Sequence, residues 1–290
     1  MTAGPTPPVL LYHSVDTSCS PAFAPWMVTP EALSAQLDAL SSAGFTPVSL
    51  DQILAAHDGS ASLPSRPYAV TFDDAFADFA QALPILHAYD VPTTLFVPTA
   101  YLGATSRWLQ NEGEGHRPIL TAEEVAALPA AGVSIGAHGH THAMMDLLDS
   151  TTLLRELSES RRLLSDIVNE PVRAVAYPHG YNGRRVRRHA AVAGYSYGLG
   201  VEHRLHEAAD DRYALARLIV HGGTTPDELL CQVRGRDFGR RIPSPCTDAA
   251  VWVWRMIRHA TSGRQQRRLS AHACLRRAEE RRAPVSDLDR

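Results

Sequence analysis

Short apolar runs alternate with amphipathic segments through most of this chain. Residues 8–12 (PVLLY), 45–50, 68–72 (YAVTF), 93–97 (TTLFV), 133–137 (VSIGA), 172–177 and 214–220 are brief and rich in Val, Leu, Ile, Thr, Phe and Tyr. Such runs predict short buried strands. Between them the pattern switches to a helical period. Leu33, Leu37 and Leu40 form a stripe behind Thr29 and Pro30, a cap and first-turn pair, and Gly44 is a natural stop. Residues 51–57 predict a short helix, and Phe79, Leu83 and Leu86 share one face of a helix predicted over 75–89. Thr121 and Glu124 have capping-box spacing ahead of a helix ending near Gly132. Leu153, Leu157, Leu164 and Val168 mark the clearest amphipathic helix, over 151–168, and 225–233 predicts the last helix of the core. Residues 100–120 hold three glycines and a proline and read as a long functional loop carrying Trp108.

Strands that alternate with helices predict an α/β fold of parallel βαβ units. Five of the runs end in a polar or ionisable residue: His13, the pair Asp73-Asp74, His138, His179 and His221. One histidine at a strand end is an ordinary polar terminus. In a (β/α) barrel, however, the C-terminal strand ends converge on one face, where sites are built. Five such ends together predict a site.

Composition adds bounds. The chain has 290 residues, 44% hydrophobic and 20% charged, enough for one barrel-sized domain and a tail. We expect the domain over 7–240 and an Arg-rich, helical C-terminal extension over 241–290. All 28 basic residues are arginine, and fourteen of them lie in 234–290 against six acidic residues. That tail suits a basic helix packed on the domain, or a weak peripheral contact with an anionic membrane surface. The net charge of −3 argues against a nucleic-acid partner. Cys19, Cys231, Cys246 and Cys274 are far apart and form no CxxC, so no disulfide framework is expected. The first residues show no basic segment followed by a long apolar one, and the expectation is a cytoplasmic protein.

The chemistry centres on residues 68–74. Two carboxylates at the end of an apolar strand repel each other and lose hydration, which is costly without a cation or a shared proton. An Asp pair also suits a helix cap. Asp74, His138 and His142 offer one oxygen and two imidazole nitrogens, a set that suits Zn²⁺ with a fourth position open to water. His138 and His142 can reach one ion from a tight turn. If the segment is extended, His140 shares a face with His138 instead. Asp73, beside the ion but not on it, could take a proton from water, and a group across the site would protonate a leaving amine or alcohol. That layout suits metal-assisted hydrolysis of an acyl bond.

Thr71-Phe72-Asp73-Asp74, His138-Gly139-His140-Thr141-His142 and Tyr177-Pro178-His179-Gly180 resemble the first three motifs of the polysaccharide deacetylases, carbohydrate esterase family 4. Leu10-Leu11-Tyr12-His13-Ser14 resembles the opening strand of the subgroup acting on poly-β-1,6-N-acetylglucosamine. The resemblance covers about residues 8–235. It implies a distorted (β/α) barrel with about seven parallel strands, and hydrolysis of the amide of N-acetylated carbohydrates with a divalent metal, Zn²⁺ foremost. It makes Asp73 the general base and Asp74, His138 and His142 the metal ligands. It makes His13 the general acid, while Leu218-Ile219-Val220-His221 resembles the acid motif of the wider family, so His221 stays a rival. Arg217 resembles an arginine that steadies the base. Tyr177, Pro178 and His179, with Arg217 and His221, are expected around the substrate. Ala75 stands where the family usually has Gly, and His179 where it has an aromatic residue. Hydrolysis of another non-peptide C–N bond on the same barrel is the alternative activity, and a non-catalytic carbohydrate-binding protein is a third.

Overall fold

The computed structural model describes residues 7–207 and 209–235, all within one compact unit. The expected Arg-rich extension over 241–290 lies outside the described residues. In chain order the strands are β1 (Val9–Tyr12), β2 (Ser14–Val15), β3 (Met27–Val28), β4 (Thr46–Pro47), β5 (Pro67–Phe72), β6 (Thr93–Val97), β7 (Val133–Ala137), β8 (Ala174–Ala176), β9 (Tyr197–Leu199) and β10 (Leu218–Ile219). The helices are α1 (Pro30–Ser42), α2 (Leu50–His57), α3 (Phe79–Ala88), α4 (Ala122–Ala127), α5 (Ser150–Val168), α6 (Arg184–Val192) and α7 (Pro226–Val233).

Seven strands run parallel in the order β10-β1-β5-β6-β7-β8-β9, with β4 beside β5, and form a curled sheet. Leu215 bridges Leu199 of β9, and Leu218 pairs with Leu10 of β1. The segment leading into β10 therefore touches both ends of the path, which gives the distorted barrel its closure. Every residue of β1, β5 and β6 is buried, as expected for strands covered on both faces. At Gly136 in β7 an added Cβ would run into the Phe96 ring, so the close approach of β6 and β7 requires glycine. The helix starts follow the sequence signals. Thr29 caps α1, and Ser49, Thr121 and Thr225 form capping boxes at α2, α4 and α7.

Several elements differ from the predicted ones. The helix after the Asp pair begins at Phe79, not at 75, because Asp74 (φ 74°) and Ala75 (φ 53°) are left-handed and cannot continue a right-handed turn. The strands predicted over 172–177 and 214–220 shrink to β8 and β10. Helix α6 and strand β9 lie where the pattern predicts nothing. Only Val186 and Ala190 of α6 are buried among arginines, and β9 is three residues long, so neither leaves a readable periodicity. The loop over 100–120 is tied down by Arg117. Its guanidinium reaches Asp78, Glu114 and Asp16 and lies over the Phe23 ring.

Candidate active site

Strand β5 delivers Asp73 and Asp74 just beyond its last residue, and the left-handed turn that follows aims the two carboxylates differently. Asp73 meets Arg217, which stands just before β10. The Arg217 nitrogens Nη1 and Nη2 donate to the two oxygens of Asp73 at 2.7 and 2.8 Å, and Nε donates to the Gly200 carbonyl at 3.0 Å. Arg217 is 0% exposed and Asp73 2%. Burial pushes the Asp73 carboxyl up, but the guanidinium outweighs it and holds the group below the ordinary carboxylate range.

Asp74 turns the other way. Its Oδ1 lies 3.1 Å from His142 Nε2 and 3.4 Å from His138 Nε2. These three side chains are buried, and their ligand atoms all lie within 4.8 Å of one another. His138 Nδ1 is 2.8 Å from the Ala176 carbonyl, an acceptor only, so that nitrogen carries the proton and Nε2 the lone pair. A carboxylate oxygen facing imidazole lone pairs is repulsive unless a proton or a cation lies between them. Asp74 Oδ1 and His142 Nδ1 are also buried without a hydrogen-bond partner. The donor set and this convergence fit a divalent cation. For Asp74, burial is again outweighed by His142 and His138, and the carboxyl sits well below its usual range. Burial lowers His138, but the two aspartates outweigh it and raise its pKa.

The loop brings His142, and not His140, to Asp74. His140 turns away, with Nδ1 2.8 Å from Thr99 Oγ1 and Nε2 3.9 Å from Glu159. His142, at φ 55°, folds back towards Asp74, and Trp108 of the long loop stacks on its ring at 4.7 Å.

His13 follows β1 beside the aspartates. Burial lowers its pKa, while the charges of Asp74 and Asp73 pull the other way. Its ring meets Trp26 edge-on at 5.1 Å, and the other neighbour of Trp26 is His221 at 5.6 Å. The His221 Nδ1 is 3.2 Å from the Pro25 carbonyl. His179 is exposed, with its ring 5.0 Å from that of His142, and Pro178 is buried beneath it.

Two expected substrate contacts are corrected. Tyr177 is fully buried and its hydroxyl donates to the Tyr213 carbonyl at 3.0 Å, so its side chain is part of the core. Arg217 has no exposed surface and its fork is occupied by Asp73, so it holds an acid rather than a ligand. Sequence reasoning also missed Trp26 and Glu156. A bulky aromatic in a Pro- and Ser-rich loop, and an acid on the leucine stripe of α5, were the available signals.

The comparisons with known proteins agree with this geometry. Residues 60–198 match the polysaccharide deacetylase family. The Bacillus subtilis (strain 168) protein YxkH is 25% identical over 244 residues, covering 82% of this chain and 76% of that protein. A poly-beta-1,6-N-acetyl-D-glucosamine N-deacetylase of Staphylococcus aureus (strain MRSA252) is 23% identical over 168 residues, 54% of this chain and 55% of that enzyme. Among solved structures, the Streptococcus pyogenes deacetylase PplD in complex with acetate superposes with a TM-score of 0.68 at 24% identity, over 78% of this chain and 97% of that one. IcaB from Ammonifex degensii gives 0.67 at 20% identity, over 80% and 97%. These structures share the fold. The family match spans both aspartates and the histidine loop, whereas His13, Arg217 and His221 lie outside it.

Proposed function

We propose that this deacetylase domain removes the acetyl group from an N-acetylated amino sugar, with Zn²⁺ held by Asp74, His138 and His142. The observation that carries the reading is the division of labour between two adjacent aspartates. One faces two imidazole nitrogens, and the other is kept ionised, and apart, by Arg217. A divalent cation in that site supplies charge that polarises an acyl oxygen and acidifies water. The chain's own groups do the rest. Asp73 takes a proton from the attacking water as its oxygen bonds to the amide carbon. His13, which follows the neighbouring strand and lies within the field of both aspartates, gives a proton to the amide nitrogen as the C–N bond breaks. Acetate and a free amino sugar result. Proton transfers of this kind contribute about 10²–10⁴-fold each. Pro178, His179 and His221 flank the sugar, and Trp26 and Trp108 give it apolar faces.

The names of the relatives support an N-acetylglucosamine polymer as the substrate class. The test is acetate release from N-acetylglucosamine oligomers, before and after chelation and with Zn²⁺ restored. Release that chelation abolishes and zinc restores is expected. Activity on a cyclic amide but on no N-acetylated sugar would overturn the reading.

A further inference from the structure

Helix α5 presents leucines at 153, 157 and 164 to the core, yet the same buried face carries Glu156, 6% exposed. No ion pair reaches this carboxylate among the described residues. Its Oε2 accepts the backbone N–H groups of His140 at 2.9 Å and Thr141 at 2.8 Å, and its Oε1 accepts the Thr141 hydroxyl at 2.7 Å. All three donors belong to the five residues that carry His138 and His142.

That loop is held from two sides. Its carbonyl groups face the turn after β6, where Ala100 N–H donates to the His140 carbonyl at 2.8 Å and Thr99 N–H to that of Gly139 at 3.3 Å. Its N–H groups face Glu156. The two clamped peptides lie between left-handed residues, Gly139 at φ 74° and His142 at φ 55°. An added Cβ at Gly139 would sit in ordinary contact with Glu156 Oε2, at 3.6 Å, and tight against Met145 Cε, at 3.0 Å. Left-handed backbone at a non-glycine residue is costly and persists only where its surroundings fix it. An amide could keep these contacts, its oxygen accepting both N–H groups and its NH₂ donating to the Thr141 hydroxyl, whereas an apolar side chain of the same length would leave all three donors unmet.

We propose that Glu156 is a positioning residue for the cation centre. By gripping the peptides between His138 and His142, it sets the separation of their Nε2 atoms and so the affinity for the ion. The inference rests on the reading of Asp74, His138 and His142 as a cation site, and it concerns affinity rather than catalysis. Partners that orient metal ligands commonly contribute about 10- to 100-fold in affinity.

The experiment measures zinc dissociation constants by competition with a chromophoric chelator for the wild type, Glu156→Met and Thr141→Val. Melting temperatures are read on the metal-free and zinc-loaded forms. Glu156→Met should weaken zinc binding by about 10- to 100-fold and shrink the zinc-induced rise in Tm. Thr141→Val keeps both backbone bonds and should weaken binding measurably, but less than Glu156→Met does. It also decides the matter if Glu156→Met does not fold. Wild-type dissociation constants in the folded variants, with Tm lowered equally in both forms, would mean that Glu156 only packs the helix. A wild-type protein that takes up no zinc would sink the cation site itself, and the clamp with it.

Discussion

Arg217 grips both carboxylate oxygens of Asp73 with two buried hydrogen bonds, and the pair sits one residue from Asp74, which faces His138 and His142. Breaking a buried pair leaves an uncompensated charge, which costs about 3–5 kcal/mol. Asp73→Asn should therefore lower stability, retain zinc, and lose at least about 10²-fold in kcat. Calorimetry, metal analysis and steady-state kinetics check the three parts. Wild-type turnover in the folded variant would end the assignment of the base.

The same contact fixes a pH effect. A general base works only when ionised, so activity falls as pH drops through its pKa. Arg217 holds Asp73 below the ordinary carboxylate range, so the wild-type acid limb is not set by a raised carboxyl. Arg217→Met removes the largest of the groups that oppose burial, which pushes Asp73 up. The acid limb of kcat/KM should move to higher pH in that variant. A limb that stays in place would show that Asp73 is not the group titrating.

Zinc retention should separate the three histidines of the loop. His138→Ala and His142→Ala each remove a nitrogen facing Asp74 Oδ1 and should abolish stoichiometric zinc. His140→Ala removes only the contacts to Thr99 and Glu159 and should keep it. The decisive reading is metal content after dialysis; zinc lost from His140→Ala and kept by His142→Ala would reverse the ligand choice.

The sequence made the barrel and the aspartate and histidine ends legible because buried parallel strands are continuous apolar runs. A charged residue that ends such a run is conspicuous. The choice between His140 and His142 was not legible, since it depends on the left-handed turn at His142 and on the clamp from Glu156. Nor was the burial of Tyr177. A tyrosine beside Pro178 reads equally well as a pocket wall, and only the space left by Gly198 in the next strand shows that its ring turns inward.

That inward turn has a testable consequence. The Tyr177 hydroxyl meets the Tyr213 carbonyl and no part of the site. Tyr177→Phe should cost about 1 kcal/mol, the usual net value of one hydrogen bond, and leave KM unchanged. A several-fold rise in KM with unaltered stability would return Tyr177 to the substrate pocket.

The general acid is the sharpest remaining contest. An amine leaves only if it is protonated as the C–N bond breaks, and imidazole is the side chain whose proton is available near neutral pH. His13 and His221 both end strands on the correct face, with Trp26 packed against each. They differ in electrostatics. Asp74 and Asp73 act on His13, whereas the His221 ring lies against the Pro25 carbonyl. An acid must be protonated to work, so activity falls as pH rises through its pKa. Burial holds His13 below its ordinary value, and a cation nearby acts in the same direction. The alkaline limb of wild-type kcat/KM should therefore lie below about 6.5. His13→Ala should abolish that limb and lower kcat by about 10²-fold or more. His221→Ala should keep the limb, with any loss falling mainly on KM. The pH–rate profiles of the two variants decide it: a limb that disappears with His221 and survives without His13 exchanges their roles.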